Sequence, residues 1–239
     1  MTAGVHDFTG LVVLVTGVAR PGQIGHAVAE AFGRAGARVV ACDKNAVAVA
    51  ARVREFAAAG IDARPAAGDL TEPDVAQLAV EVALREFGRL DAVINVAGGL
   101  TTYGPFAEST VADVDREIAI NLKTCIVVSQ AAVEALAASR GAIVNFSSVA
   151  YFRPDPNMAI YVAAKTAVAG FTRALAVELR PRGIRVNAVA PSMVRTPENV
   201  SAAGDDADYV EMSEITDGVI ALAADPGMSG EIVPIARGL

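Results

Sequence analysis

The sequence predicts an α/β fold: a single doubly wound domain over residues 1–239, with a seven-stranded parallel sheet flanked by helices. Three observations predict it. Seven short runs rich in Val, Ile and Ala lack polar alternation, as strands buried on both faces do. These runs alternate along the whole chain with longer stretches of helix formers. The first run passes into the first helix through a glycine-bearing turn, and no linker, repeat or low-complexity segment interrupts the series.

Residues 11–15, Leu-Val-Val-Leu-Val, read as the first strand. Thr16-Gly17 ends it, and Val18-Ala19-Arg20-Pro21-Gly22-Gln23-Ile24-Gly25 leads into a helix over 26–35. Glycine lets backbone approach a pyrophosphate, and a helix N-terminus offers it free N–H groups and a positive dipole. The turn therefore reads as a dinucleotide site, with Gly17, Arg20, Gln23 and Ile24 as expected contacts. Residues 38–42 are the second strand, with Asp43 at its end. A carboxylate there is placed to bond the adenosine ribose hydroxyls and to repel a 2′-phosphate, favouring NAD. Lys44 beside it and Arg20 in the turn are cations able to meet a phosphate, so NADP stays open.

Residues 47–59 read as a helix stopped by Gly60, and 63–67 as a strand ended by Gly68-Asp69-Leu70. Residues 72–87 are helical, with Pro73 tolerated in the first turn. Residues 91–95 form the fourth strand, and Val96-Ala97-Gly98-Gly99 leaves room for a ligand at its carboxyl end. Residues 110–139 read as one long helix containing Asn121, a poor helix-interior residue. Residues 141–146 are the fifth strand, followed by Ser147-Ser148. A helix covers 163–179, and 185–190 is the sixth strand, ended by Pro191. Residues 194–208 are polar without clear period and read as a mobile flap. A helix over 213–224 and a strand over 231–235 complete the series.

Composition narrows the function classes. Hydrophobic residues make up 53% of the 239, which excludes a disordered chain. The net charge of −7 argues against a nucleic-acid partner and against anionic membrane surfaces. Cys42 and Cys125 show no metal spacing and no disulfide framework, so no metal is expected. Residues 1–10 lack the features of a signal peptide, and no apolar run reaches the ~18 residues of a membrane span. A cytoplasmic protein is the expectation.

Tyr161 and Lys165 stand four apart, on one face of a helix. A phenol with a pKa near ~10 is a poor acid or base at neutral pH. Lowering it by ~3 units takes ~4 kcal/mol. An ammonium at ~4 Å supplies about that at an effective dielectric near 20, and a nicotinamide cation would add to it. A lone Tyr-x-x-x-Lys has roughly even odds of arising by chance in a chain this long, as a helix-start aromatic and a solvated lysine. The motifs around it change those odds.

Together the motifs resemble the short-chain dehydrogenase/reductase family over about residues 8–235. Thr16-Gly17…Gly22…Gly25 resembles the family's glycine turn, and Asn95-Val96-Ala97-Gly98 its Asn-Asn-Ala-Gly. Asp69-Leu70 matches its adenine contact. Pro191-Ser192-Met193-Val194-Arg195-Thr196 resembles the segment that holds the nicotinamide. Asn121, Ser148, Tyr161 and Lys165 match the catalytic tetrad. The resemblance implies a Rossmann-type fold and NAD or NADP as cofactor. It makes Tyr161 the proton donor or acceptor, and Lys165 both its pKa-lowering neighbour and a ribose contact. Ser148, preferred over Ser147 on spacing, polarises the substrate oxygen. Asn121 holds a water that links Lys165 to solvent. Asn95, Ala97, Gly98 and Pro191 contact the cofactor, and Val194 and Thr196 anchor its carboxamide. The glycine turn is two residues longer than the family norm, Ser192 replaces a glycine, and the tail lacks the usual Asp-Gly-Gly.

The expected activity is hydride transfer between nicotinamide and a carbonyl or secondary alcohol carbon of a small molecule. Two rivals are an enoyl-thioester reductase, suggested by the longer turn, and a catalytically silent nucleotide-binding protein. Tyr103, Phe106, Tyr151, Phe152 and Met158 suggest an apolar, partly aromatic pocket, and Arg153 and Arg195 are cations able to meet an anionic group. Helices over 123–139 and 160–179, small and apolar over most of their circumference, suggest a homodimer or homotetramer.

Overall fold

The computed structural model describes residues 6–237; the first five residues of the expected leader-free N-terminus and the last two of the atypical tail lie outside the described residues. In chain order the elements are β1 (Val12–Thr16), α1 (Ile24–Arg34), β2 (Arg38–Asp43), α2 (Ala46–Ala58), β3 (Ala63–Ala67), α3 (Pro73–Phe87), β4 (Ala92–Asn95), α4 (Val111–Ile118), α5 (Thr124–Ser139), β5 (Ala142–Phe146), α6 (Ala159–Leu179), β6 (Arg185–Pro191), α7 (Pro197–Ala203), α8 (Met212–Ala224) and β7 (Ile232–Ile235). The strands form one sheet in the order β3-β2-β1-β4-β5-β6-β7. Every pairing is parallel, with Val13 opposite Val39 on one side and Ala92 on the other. This is the doubly wound, Rossmann-type fold that the alternation of runs predicts.

Successive strand residues point to opposite faces, so β1 feeds two cores. Val13 and Val15 pack with Val28 and Phe32 of α1, Phe56 of α2 and Ile215 and Val219 of α8. Val12 and Leu14 pack with Val80 of α3, Val128 and Leu136 of α5 and Leu179 of α6. All four β1 side chains are fully buried. Each contributes about 1.5–3 kcal/mol relative to exposure. Strand order reverses between β1 and β4, and the crevice at the carboxyl ends there is where such sheets bind ligands.

Three sequence expectations need correction. The helix over 110–139 is not continuous in type: residues Ala119–Lys123 form a π-helical turn between α4 and α5. Its cause is Asn121, whose Nδ2 donates to the carbonyl of Glu117 at 3.1 Å and so intrudes on the helical ladder. The flap over 194–208 is not without structure, because α7 lies inside it. Thr196 caps α7 by accepting from the Asn199 N–H at 3.2 Å, and Gly204 ends it at φ 83. Finally, the helical stretches 111–139 and 159–182 are long and apolar enough, by length and composition alone, to cross a membrane. Both pack into this fold, with Val128, Leu136, Ala176 and Leu179 in the core beneath the sheet.

Candidate active site

The glycine turn after β1 is shaped by two contacts that admit no side chain. Gly17 adopts φ 76, and a Cβ on it would lie 3.1 Å from the backbone of Ala97. A Cβ on Gly25 would lie 2.2 Å from the carbonyl oxygen of Gly17. The N-terminus of α1 is thereby pressed against the end of β1. Gln23 occupies the N-cap position without a side-chain bond, and the first turn carries no acidic residue, so the N–H groups there face the crevice uncapped. Thr16 Oγ1 accepts from the Ala97 N–H at 2.9 Å and ties β1 to the segment after β4. Arg20 pairs with Glu198 of α7 at 2.6 Å, while Gly22 faces Pro197. The lengthened turn is thus clasped to α7. Gly22 N–H also donates to His26 Nδ1 at 3.3 Å, and His26 stacks on Phe56.

Asp43 ends β2. Its Oδ2 accepts from the Ala19 N–H and its Oδ1 from the Asn45 N–H, each at 3.1 Å. Asp69 is exposed, and its bonds to the backbone and hydroxyl of Thr71 hold its carboxyl below the usual range. Leu70 beside it is buried.

The tetrad residues converge from three elements. Ser148 follows β5, Tyr161 and Lys165 lie in the first turns of α6, and Asn121 sits in the π turn. Tyr161 is half-buried beside Ser148. Burial pushes its phenol above the ordinary value, the Ser148 hydroxyl opposes that, and the charge of Glu117 adds to it. Lys165 Nζ donates to the carbonyl of Phe146 at 2.9 Å and lies 5.8 Å from the centre of the Tyr161 ring. Lys165 is itself only 4% exposed. Burial pushes its ammonium down to about 8, with Cys125 and Glu117 pushing back. Ser147 is a different case from Ser148. Its hydroxyl donates to the backbone carbonyl of Lys165 at 2.9 Å, which is a helix-to-strand tie.

Asn121 is 2% exposed and fully engaged by protein. Its Nδ2 donates to Gly99 O at 3.0 Å and to Glu117 Oε1 at 3.1 Å, and its Oδ1 accepts from the Gly99 N–H at 3.0 Å. Gly98 packs against it, since a Cβ there would lie 2.6 Å from Asn121 Oδ1 and 3.4 Å from Lys165 Nζ.

Three expected cofactor contacts have other partners. Asn95 is buried under the site, donating to Asn145 Oδ1 at 2.9 Å and Ser129 Oγ at 3.1 Å, so its side chain braces the sheet. Val194 and Thr196 are 2% and 3% exposed; the Thr196 hydroxyl accepts from the Asn199 N–H in the α7 cap, and the Val194 carbonyl accepts from the Thr196 N–H and from Asn199 Nδ2, each at 2.8 Å. Pro191 ends β6 opposite Ile235. Arg195 is bound to Glu211 at 3.0 Å and lies over the Tyr209 ring.

One residue at the site escaped the sequence reading altogether. Glu117 is 0% exposed and touches Asn121 and Thr101. The available signal was spacing: it stands four before Asn121, on the same helix face.

A crevice closed by glycines at the carboxyl edge, with a buried lysine and a tyrosine one helical turn apart, narrows the families to which such a chain can belong. The family model described as short chain dehydrogenase matches residues 11–206. The chain belongs to the short-chain dehydrogenase family. It is an oxidoreductase of the alcohol/carbonyl type, and the family and fold imply a nicotinamide cofactor. Among its relatives is the short-chain reductase protein NovJ of Streptomyces niveus, 37% identical over 85% of this chain and 77% of that one. Another is a cyclohexanol dehydrogenase of an Acinetobacter species, 35% identical over 88% and 82%. A solved structure from Agrobacterium tumefaciens, carried under a provisional gluconate dehydrogenase name, superposes with TM-score 0.90 at 27% identity over 98% and 97%. As a short-chain dehydrogenase the chain has residues that fit the nicotinamide dinucleotide. Gly17 and Gly25 let α1 close against the end of β1, the first turn of α1 has no side-chain cap, and Asp43 ends β2 beside this turn, its Oδ2 accepting from the Ala19 N–H.

Proposed function

We propose that this short-chain dehydrogenase interconverts a small secondary alcohol and its carbonyl compound with NAD, Tyr161 carrying the oxygen-bound proton. The nicotinamide, when bound, supplies or accepts the hydride. In the reducing direction Tyr161 Oη gives its proton to the substrate oxygen, and Ser148 Oγ donates a hydrogen bond to that oxygen as negative charge develops. In the oxidising direction the phenolate takes the proton. The observation that carries this reading is the juxtaposition of Tyr161 with Ser148, above the buried ammonium of Lys165. A positive charge there favours the phenolate once a ligand excludes water from the crevice.

NAD rather than NADP is favoured by Asp43 at the end of β2 and by the engagement of Arg20 with Glu198. An apolar substrate body is favoured by Leu100, Tyr103, Phe106, Phe152 and Met193. These are large exposed side chains on the segments that leave the carboxyl ends of β4, β5 and β6. The name of the cyclohexanol dehydrogenase relative points the same way. Assembly into a homodimer or homotetramer through α5 and α6 is part of the proposal, supported by the exposed apolar side chains Ile126 of α5 and Val177 of α6.

The test is Tyr161→Phe, which keeps ring packing and removes the hydroxyl. With a panel of ketones and enoyl thioesters, wild type should reduce the ketones. The variant should lose about 10²–10⁴ in turnover while binding NADH as wild type does. Near-normal turnover in the variant would remove Tyr161 from the chemistry, and activity confined to enoyl thioesters would replace the substrate class.

A further inference from the structure

Glu117 is the most fully buried carboxylate at the site and has no part in the scheme above. It is 0% exposed, on the last turn of α4, with α6 packed against it. Its Oε2 accepts from the N–H of Thr101 at 3.1 Å and from the Thr101 hydroxyl, and its Oε1 accepts from Asn121 Nδ2 at 3.1 Å. These are neutral donors. Among the described residues no lysine or arginine forms an ion pair with it, and its neighbour Arg116 turns outward to Asp113 and Thr102. Lys165 presents the complementary situation. Its ammonium is buried, with one neutral acceptor, the carbonyl of Phe146, at 2.9 Å. A buried charge is costly unless an opposite charge balances it. The same glycine segment separates the two groups. Asn121 bonds Glu117 on one side and Gly99 on the other, and Lys165 Nζ lies against Gly98.

We infer that Glu117 is the buried counter-charge of the catalytic lysine: a positioning residue that acts through Asn121 and across the Gly98–Gly99 segment, keeping Lys165 protonated in the working enzyme. The other titratable groups facing this region are Tyr161, from the same helix as Lys165, and Cys125 from α5. The Cys125 thiol is driven up to about 12 by burial, so it is neutral at working pH. Glu117 therefore supplies the negative charge there while Tyr161 is protonated. That charge acts on both members of the catalytic pair, holding the Lys165 proton on and raising the pKa of Tyr161.

The inference rests on the catalytic reading only for its consequence in turnover, so its primary test needs neither substrate nor cofactor. Lysine-labelled protein is titrated by NMR, with the Lys165 signal assigned by its loss in Lys165→Met. In Glu117→Gln, which keeps shape and hydrogen-bonding capacity, Lys165 should titrate about one pH unit lower than in wild type, the scale of one charge removed from an interior site. An unchanged titration overturns the inference whatever the enzyme's activity. If Glu117→Gln does not fold, Glu117→Leu provides the second arm: it also removes the charge, so Lys165 should again titrate about one pH unit lower, and an unchanged Lys165 titration overturns the inference equally. In turnover, the charge role moves both limbs of the pH–rate profile to lower pH in Glu117→Gln. A purely structural role would lower the plateau and leave the limbs in place.

Discussion

Gly25→Ala tests whether the crevice is built by close approach of α1 to β1. The new Cβ would sit 2.2 Å from the Gly17 carbonyl oxygen, 2.7 Å from its carbon and 3.0 Å from the Thr16 oxygen. All three are backbone atoms, so no side chain can swing aside. Relief requires α1 to withdraw by about 1 Å, the shortfall from an ordinary carbon–oxygen contact near 3.3 Å. Val28, Ala29 and Phe32, at most 1% exposed, move with it and open gaps against Val13 and Val15. Overpacking and lost contact of this kind cost about 2–4 kcal/mol. In a chain of 239 residues that lowers Tm by roughly 5–15 °C. NADH affinity, read by fluorescence titration below the melting transition, should fall with it, because the withdrawn N–H groups are those offered to the pyrophosphate. A Tm within about 2 °C of wild type, with unchanged NADH affinity, would show that nothing in the fold requires glycine at 25.

Four further outcomes are expected. Gly170→Ala, in a helix interior where a Cβ meets nothing within 4 Å, should stabilise by about 0.5–1 kcal/mol, seen as a higher denaturant midpoint at constant slope. Asp43→Ala should shift the NADP/NAD ratio of kcat/KM toward NADP by roughly ten-fold, the size of one screened like-charge contact; an unchanged ratio would transfer the choice to Lys44 and Arg20. Burial, ahead of the neighbouring charges, lowers the pKa of His26 below 6.5, so its contribution to stability is full above pH 6.5 and declines as pH falls through 6.5 toward the lower folded value. His26→Phe should flatten that part of the Tm–pH curve. Light scattering at micromolar concentration should give a dimer or tetramer, and a monomer would contradict the reading of α5 and α6.

The fold was legible because its signals are local and redundant. The run Val12 to Val15 is apolar on both faces, and only a strand between two helical layers buries such a run. Pro73 and Gly88 mark the two ends of α3 by backbone chemistry alone. What escaped depends on contacts between distant residues or on short range. α7 has seven residues and no buried side chain, so no periodicity reveals it; its marks are the Thr196 cap with Pro197 and the closing Gly204. Glu117 looks in sequence like any solvated helix acid, and only the packing of α4 on α6 puts it inside. Asn95 is expected at the cofactor from its place in the Asn95-Val96-Ala97-Gly98 motif; that its side chain also braces Asn145 is a contact no sequence pattern shows. Helical spacing brings Lys165 to the face of Tyr161, but spacing does not say that its ammonium also bonds the Phe146 carbonyl.

The clasp between the glycine turn and α7 bears on how the dinucleotide comes and goes. Arg20 and Glu198 are both largely exposed, so salt screens their attraction, and such pairs are worth at most about 1 kcal/mol. Opening the turn means parting that pair and lifting Gly22 from Pro197. The residence time of NADH should therefore shorten as ionic strength rises, by up to about five-fold at that energy. Arg20→Ala should release NADH at the fast rate in every buffer. Stopped-flow release that ignores salt in the wild type would mean that the clasp stays shut while the dinucleotide leaves by another side.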